Sequence, residues 1–256
     1  MEHILQILQL PERCLVKKKI TKAFFKRNFD MSLGERKTLD DASVILQIEW
    51  LASLKPEQIN IPSHSNAQEV YEEIQVIAVQ CGDLNFEKAT VKIIDLIQKY
   101  IPYHILLFLH CSSGFIVNVA SKKISLNDSN KRTIEKSFTS EFIPYSETLP
   151  NQTMFVSSLA FSNVSKLDLK TVFESYSKSI TLLHTAQVTG EFADRPIERS
   201  KVDVNYLERI KKLETEIFAL QNQAKKETQL STQIQINTEV QNKRTEIETI
   251  ITKLKL

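Results

Sequence analysis

The sequence predicts an α+β fold, in which a mixed β-sheet with packed helices is followed by a long C-terminal helical extension. Two apolar, β-prone runs at 74–79 and 103–111 are separated by a segment with helical spacing at 86–100. This order is typical of a strand–helix–strand unit. The last sixty residues contain neither glycine nor proline, since the final ones are Gly190 and Pro196. Such a tract predicts continuous helix, and a fifty-residue helix would be about 75 Å long.

The N-terminal part is predicted to be mainly helical. Residues 1–10 form a short amphipathic pattern that ends near Pro11. Apolar side chains recur at helical spacing from 39 to 54, which predicts a second helix ended by Pro56. The polar stretch 63–68 predicts a loop.

The central part is predicted to supply the sheet. The strand at 103–111 is apolar on both faces, as expected of a strand in the middle of a sheet. Gly114 marks a turn after it, and the crossover that joins it to strand 74–79 is expected to be right-handed. Further elements predicted here are a return strand at 115–119, strands at 134–142 and 154–161, and a helix at 165–185.

These elements divide the chain into an α+β domain at 1–188, a linker at 189–200 and a helical extension at 201–256. Apolar residues in the extension follow a heptad seam that changes phase near its middle. The extension is therefore either a coiled coil with a stutter or a helical hairpin, and the stretch at 230–237 is the predicted bend. The residues expected to meet a partner are Ile210, Leu213, Ile217, Leu220, Val240, Ile247, Ile250 and Leu254.

Charge is unevenly spread although the net charge is only +2. Residues 1–37 hold nine Lys/Arg against four Asp/Glu, whereas residues 38–150 hold nine against fourteen. Three widely spaced cysteines, no signal peptide and no run long enough to span a bilayer predict a cytoplasmic protein without membrane contact.

The basic segment, residues 17–29, is the best binding candidate. Its cations surround three phenylalanines, and this combination suits phosphates and stacked bases. The alternative is that the phenylalanines face the core and the lysines are simply solvated. The residues predicted to bind nucleic acid are Lys17, Lys18, Lys19, Lys22, Lys26 and Arg27.

No motif in the sequence predicts a catalytic residue, a cofactor or a metal site. His104 and His110 are separated by six positions on one strand, about 20 Å, so they are too far apart to ligate one metal. An enzyme would require a divergent metal site built around Glu72, Glu73 and Asp83, but no Glu-x-Lys lies on the strand at 103–111.

Five segments in order resemble an uncharacterised bacterial family, domain-of-unknown-function family 4391. They are LPERCLVKKKITKAFF near the start, IEWLASLKPEQINI at 48–61, YEEIQVIAV at 71–79, IPYHILLFL at 101–109 and KKETQLSTQIQIN at 225–237. The resemblance implies a cytoplasmic prokaryotic protein whose genes lie beside DNA methyltransferases and helicases of restriction or phage-defence loci. It implies no established activity and no catalytic residue.

Together these observations predict a non-catalytic accessory protein of a DNA-processing system. It would hold a protein partner through the C-terminal helix, either itself or a helicase- or methyltransferase-type subunit, with DNA as a second partner. The alternative is a divergent metal-dependent nuclease-like enzyme.

Overall fold

A computed structural model describes residues 1–125 and 132–256. The chain divides into two compact units, Met1–Ile180 and Thr181–Leu256. The first unit contains a mixed sheet with helices and the second is helical, so the predicted α+β class is confirmed.

The elements of the described residues are as follows. The strands are β1 Leu15–Lys19, β2 Ile45–Leu54, β3 His64–Ser65, β4 Val70–Tyr71, β5 Ile74–Cys81, β6 His104–His110, β7 Gly114–Ile124, β8 Arg132–Thr139 and β9 Ile143–Pro144. The helices are α1 Glu2–Leu8, α2 Lys22–Asn28, α3 Leu33–Asp40, α4 Pro56–Ile59, α5 Phe86–Tyr100, α6 Pro150–Ser158, α7 Leu169–Thr189, α8 Ile197–Ala224 and α9 Leu230–Lys255.

The main sheet has the strand order β1-β2-β5-β6-β7-β8, and β9 also pairs with β7. Strands β5 and β6 are parallel, and α5 connects them, as the sequence predicts. Every other neighbouring pair in this sheet is antiparallel. Because β6 lies between β5 and β7 and all its residues are buried, its continuous apolar run is explained by its central position.

The core of the first unit packs α5 against one face of the sheet. Ile93 and Ile97 of α5 are fully buried and pack with Ile105 and Leu107 of β6. The helix is amphipathic, so its charged residues remain on the opposite side. Phe25 of α2 joins the same cluster, which anchors the basic segment to the core.

The predicted helix at 39–54 is wrong. A shorter helix, α3, begins at a capping box formed by Ser32 and Glu35 and ends at Asp40. Residues from Ile45 onward form β2, which pairs with β5 along its length. The spacing of the apolar residues fits a helix, but the pairing with β5 buries them on a sheet instead.

Two further local predictions are corrected. The predicted strand at 154–161 is wrong, because Pro150 begins the helix α6 there. The predicted loop at 63–68 contains β3, which pairs with β4 as a small separate sheet.

The second unit settles the choice between a coil and a hairpin, because α8 and α9 form an antiparallel pair. Arg209 lies 2.6 Å from Glu246, and Lys243 lies 2.7 Å from Glu216. The chain turns at 225–229, so the predicted bend at 230–237 is wrong and that stretch is helical. Helix α8 begins at Ile197, inside the predicted linker at 189–200.

Candidate functional site

The basic segment forms the edge strand β1 and the helix α2. In β1 one extra residue lies between Leu15, which is opposite Ala52, and Lys18, which is opposite Trp50. Lys17 occupies this bulge in the left-handed backbone conformation, with a φ of 51°. A bulge at a sheet edge bends the strand and redirects its side chains. Lys17 therefore lies outside the regular ladder, whereas Lys18 and Lys19 pair with Trp50 and Glu49 of β2.

The six predicted cations differ in their availability. Lys17, Lys18, Lys19 and Arg27 are exposed and have no ion pair within the residues that the structure describes. Lys26 lies 2.6 Å from Asp40 and is paired within the chain. Lys22 is half-buried, and burial lowers its pKa, while the charges of Asp40 and Asp41 act in the opposite direction. Four of the six cations are therefore free to meet an anion.

The three phenylalanines of the segment also differ. Phe25 is fully buried in the core, as the alternative interpretation requires. Phe29 is half-buried, and its ring centre lies 5.1 Å from that of Tyr100. Phe24 is 45% exposed. One ring of the segment is therefore a core residue, whereas another is presented to solvent beside the free cations.

An aromatic cleft of about 390 Å³ opens beside the basic segment. It lies on the sheet face that carries Trp50, between α2 and the chain that leads into β6. Its walls are Ile20, Phe24, Phe29, Trp50, Lys55, Glu73, Gln75, Ile77, Ile101, Pro102 and Tyr103. Tyr103 is 45% exposed at this cleft, like Phe24. The cleft is therefore mainly apolar, with a few polar groups, which is the usual character of a ligand site.

The polar groups of the cleft form one connected network. The indole Nε1 of Trp50 donates to Oε1 of Gln75 at 2.6 Å. The Gln75 amide donates to the Ser53 hydroxyl at 3.3 Å, and that hydroxyl donates to Glu73 at 3.3 Å. Glu73 also lies 3.3 Å from Nζ of Lys55. The hydrogen bond to Gln75 holds the indole ring of Trp50, and the ion pair with Lys55 neutralises the carboxylate charge of Glu73.

Lys122 of β7 holds the backbone of the cleft wall at Ile101 and Tyr103 through two hydrogen bonds. Its Nζ donates to the carbonyl oxygens of these residues at 2.6 and 2.8 Å. Burial of this ammonium group lowers the pKa of Lys122 to about 7. His104, the residue after Tyr103, is also buried, and burial is the main cause that lowers its pKa to about 3.

The cleft is absent from the sequence-based predictions, because the residues of β2 were predicted to form a helix. On a strand, Trp50 and Ser53 come next to Gln75 of β5, and Lys55 comes next to Glu73 just beyond the paired strands, whereas on a helix they would not. The available signal was Trp50, the single tryptophan of the chain, in a short run that ends with a lysine.

The acidic residues of the alternative enzyme do not come together. Glu72 and Glu73 precede β5, and Asp83 follows it, so about 30 Å of extended chain separates them. Asp83 accepts bonds from the backbone and hydroxyl of Ser112, and these bonds lower its pKa. It lines a separate cavity of about 300 Å³ with Cys111 and Ser113.

The histidines are also separated, since His104 and His110 occupy opposite ends of β6. Burial is the main cause that lowers the pKa of His110 to about 4. Across residues 1–125 and 132–256, no group of three or more His, Cys, Asp or Glu side chains is placed to hold a metal ion.

The predicted partner seam lies largely inside the helical hairpin. Five of its eight residues are buried: Ile210, Leu213, Val240, Ile250 and Leu254. Ile217, Leu220 and Ile247 are half-buried. Because α9 covers this stripe of α8, burial of the seam does not require a second chain.

Within the described parts of the chain, no helix combines the length and the apolar composition needed to cross a membrane. Comparison with curated proteins and with solved structures returned no match. The family model described as domain of unknown function (DUF4391) matches residues 8–247, which is nearly the whole chain. The protein therefore belongs to the domain-of-unknown-function family 4391, as the ordered segments of its sequence predict.

Proposed function

We propose that this protein is a non-catalytic accessory protein that binds DNA through the basic segment. The observation that carries the proposal is the set of four exposed cations, Lys17, Lys18, Lys19 and Arg27, without ion-pair partners in the described residues. Cations that neutralise phosphates release condensed counterions, and this release favours binding without reading sequence.

The setting that we propose is a cytoplasmic restriction or phage-defence system of a prokaryote. The family resemblance supports this setting through the methyltransferases and helicases that it implies as neighbours. The three cysteines, Cys14, Cys81 and Cys111, are free and buried, in keeping with a reducing compartment.

The salt dependence of DNA binding tests the proposal. With four cations at phosphates, log affinity for a duplex is expected to fall with log salt at a slope of about −3.6. A variant with Lys17, Lys18, Lys19 and Arg27 replaced by Gln is expected to bind more weakly and to lose most of this slope. Binding of a labelled duplex at several salt concentrations measures both quantities.

The matched control removes four exposed lysines from the other unit: Lys211, Lys212, Lys225 and Lys226. This variant has the same net charge as the first, so it separates a local effect from a global one. Equal loss of slope in both variants, or no binding of wild type at low salt, would refute the proposal.

We further propose that a protein partner docks on the helical hairpin near its turn at 225–229. Phe218 is 67% exposed, Ile234 is 57% exposed and Leu230 is 69% exposed, whereas the seam residues Ile217 and Leu220 beside Phe218 are half-buried. The partner would be a second copy of the chain or a helicase- or methyltransferase-type subunit. The double substitution Phe218→Ser and Ile234→Ser is expected to abolish binding of the partner. If the partner is a second copy, light scattering detects the loss of self-association, and if it is a helicase- or methyltransferase-type subunit, co-purification detects the loss of its capture. Unchanged mass and unchanged capture would exclude this surface.

A further inference from the structure

We infer that the aromatic cleft takes one unstacked base of a single-stranded nucleic acid whose phosphates lie along the basic segment. This inference rests on the proposed function and names the form of nucleic acid that the site selects. The basic segment itself forms part of the cleft wall, because Ile20, Phe24 and Phe29, which line the cleft, lie within residues 17–29 and follow the lysines of β1.

Charge and apolar surface are separated at this site in the way that a nucleotide requires, with cations at the rim and aromatic rings inside. Lys18 is directly opposite Trp50 in the β1–β2 pair, so the two side chains share a face of the sheet. Inside the cleft, Lys55 pairs with Glu73, and the charges of this pair offset each other. An anionic phosphate is therefore favoured at the rim, whereas a neutral, flat base is favoured inside.

The cleft presents aromatic rings to a ligand, and the Trp50 ring is held in a fixed position. Trp50 donates to Gln75 at 2.6 Å and to the Ala52 carbonyl oxygen at 3.0 Å, so its indole is held before any ligand arrives. Phe24 and Tyr103 are each 45% exposed. Aromatic faces accept bases of any identity, because every base has a π-face.

A cleft that holds a single base favours a single strand over a duplex. In a duplex each base is stacked and paired, and taking it out costs a few kcal/mol. A single strand offers its bases without that cost. Contact with the free cations alone would instead favour a duplex, because its charge density is higher. The cleft therefore adds a preference for single strands that the basic segment alone lacks.

Trp50 makes the inference directly testable, because it is the single tryptophan and lines the cleft. The probes are a short oligo(dT) and a strand of equal length and charge that is abasic throughout. We expect oligo(dT) to change the Trp50 emission and to bind more tightly than the abasic strand. One stacked base corresponds to about five- to 150-fold in Kd.

Variants locate the effect in the cleft. Phe24→Ala and, separately, Tyr103→Ala are each expected to reduce the oligo(dT) affinity several-fold and to leave the abasic strand unaffected. The control is Leu33→Ala, which removes an apolar side chain that is 88% exposed outside the cleft. Circular dichroism checks that each variant is folded.

The outcomes separate this inference from the proposed function. Equal affinity for oligo(dT) and the abasic strand with unchanged Trp50 emission overturns the base site, while phosphate binding by the basic segment stands. No binding of either strand at low salt overturns both. Tighter binding of oligo(dT) that is lost in both cleft variants supports the base site.

Discussion

Replacing Lys122 by methionine is expected to change how the stability of the first unit depends on pH. The side chain is 2% exposed, and its Nζ donates to the carbonyl oxygens of Ile101 and Tyr103. Burial lowers its pKa from 10.5 to about 7. Methionine has a similar shape but neither charge nor donors, so the substitution removes both the titration and the two hydrogen bonds.

The magnitude follows from the two pKa values. A fall from 10.5 to about 7 corresponds to at most about 5 kcal/mol, at ~1.36 kcal/mol per unit. Between these values the unfolded chain binds the Lys122 proton and the folded chain does not. The free energy of unfolding therefore rises with pH across this window, by up to about 1.4 kcal/mol per pH unit. Below about pH 7 both states are protonated and this contribution is constant.

Methionine also leaves two carbonyl oxygens unpaired, which costs about 1–3 kcal/mol for each buried group. We therefore expect Lys122→Met to be the less stable protein at about pH 10 and to approach or exceed wild type at about pH 7. Urea unfolding followed by Trp50 emission measures this, because Trp50 belongs to the first unit.

The control is Lys92→Met, which removes an exposed lysine from α5 and is expected to leave the pH profile unchanged. His104 does not interfere, because its pKa of about 3 places its own window between about pH 3 and 6.5, where stability also rises with pH. A difference between wild type and Lys122→Met that stays constant from about pH 7 to 10 would refute the reasoning. It would mean that the two carbonyl oxygens keep the ammonium charged.

Two further predictions concern stability. Asp203→Asn is expected to destabilise the helical hairpin by about 3–5 kcal/mol, because this fully buried carboxylate lies 3.1 Å from Arg195 and 3.0 Å from Arg199. Thermal unfolding followed by circular dichroism measures this loss of stability, and Glu198→Gln, at an exposed position, is the control. Equal loss of stability in the two variants would show that the buried carboxylate contributes nothing specific. Gly82→Ala is expected to cost about 1–3 kcal/mol, because the new Cβ would lie 2.1 Å from the Ser43 carbonyl oxygen. Gly34→Ala in α3, with nothing within 4 Å of the new Cβ, is instead expected to stabilise the protein by about 0.5–1 kcal/mol. Urea unfolding measures both glycine variants, and a Gly82→Ala variant more stable than Gly34→Ala would contradict the reasoning.

Elements with an unambiguous apolar pattern were predicted well from the sequence. The strand at 74–79, the helix at 86–100 and the strand at 103–111 correspond to β5, α5 and β6, including the central position of β6. A fully apolar strand and a fifteen-residue amphipathic helix each leave little choice of structure. These three elements, together with the C-terminal tract that lacks glycine and proline, predicted the fold class.

The candidate cleft could not be predicted, because its parts depend on pairing between distant segments. Val44, Ile48, Leu51 and Leu54 satisfy helical spacing, but the segment is a strand because β5 supplies a partner for it. Once β2 is a strand, Trp50 and Gln75 are brought within hydrogen-bond distance, although they are twenty-five positions apart. The basic segment was found because its signal is local, whereas the cleft beside it has no local signal.

The helical hairpin shows what a hydrophobic seam does and does not imply. Ile210, Leu213, Ile250 and Leu254 form one cluster, so the requirement for a partner is met, but by the chain itself. A hydrophobic seam indicates that one face of a helix must be buried, but it does not indicate whether a second chain or the same chain buries that face. The turn at 225–229 lets α9 cover α8. Evidence for an external partner therefore rests on the apolar side chains that the hairpin leaves uncovered, such as Phe218 and Ile234, and mutations there rather than in the seam separate partner binding from folding.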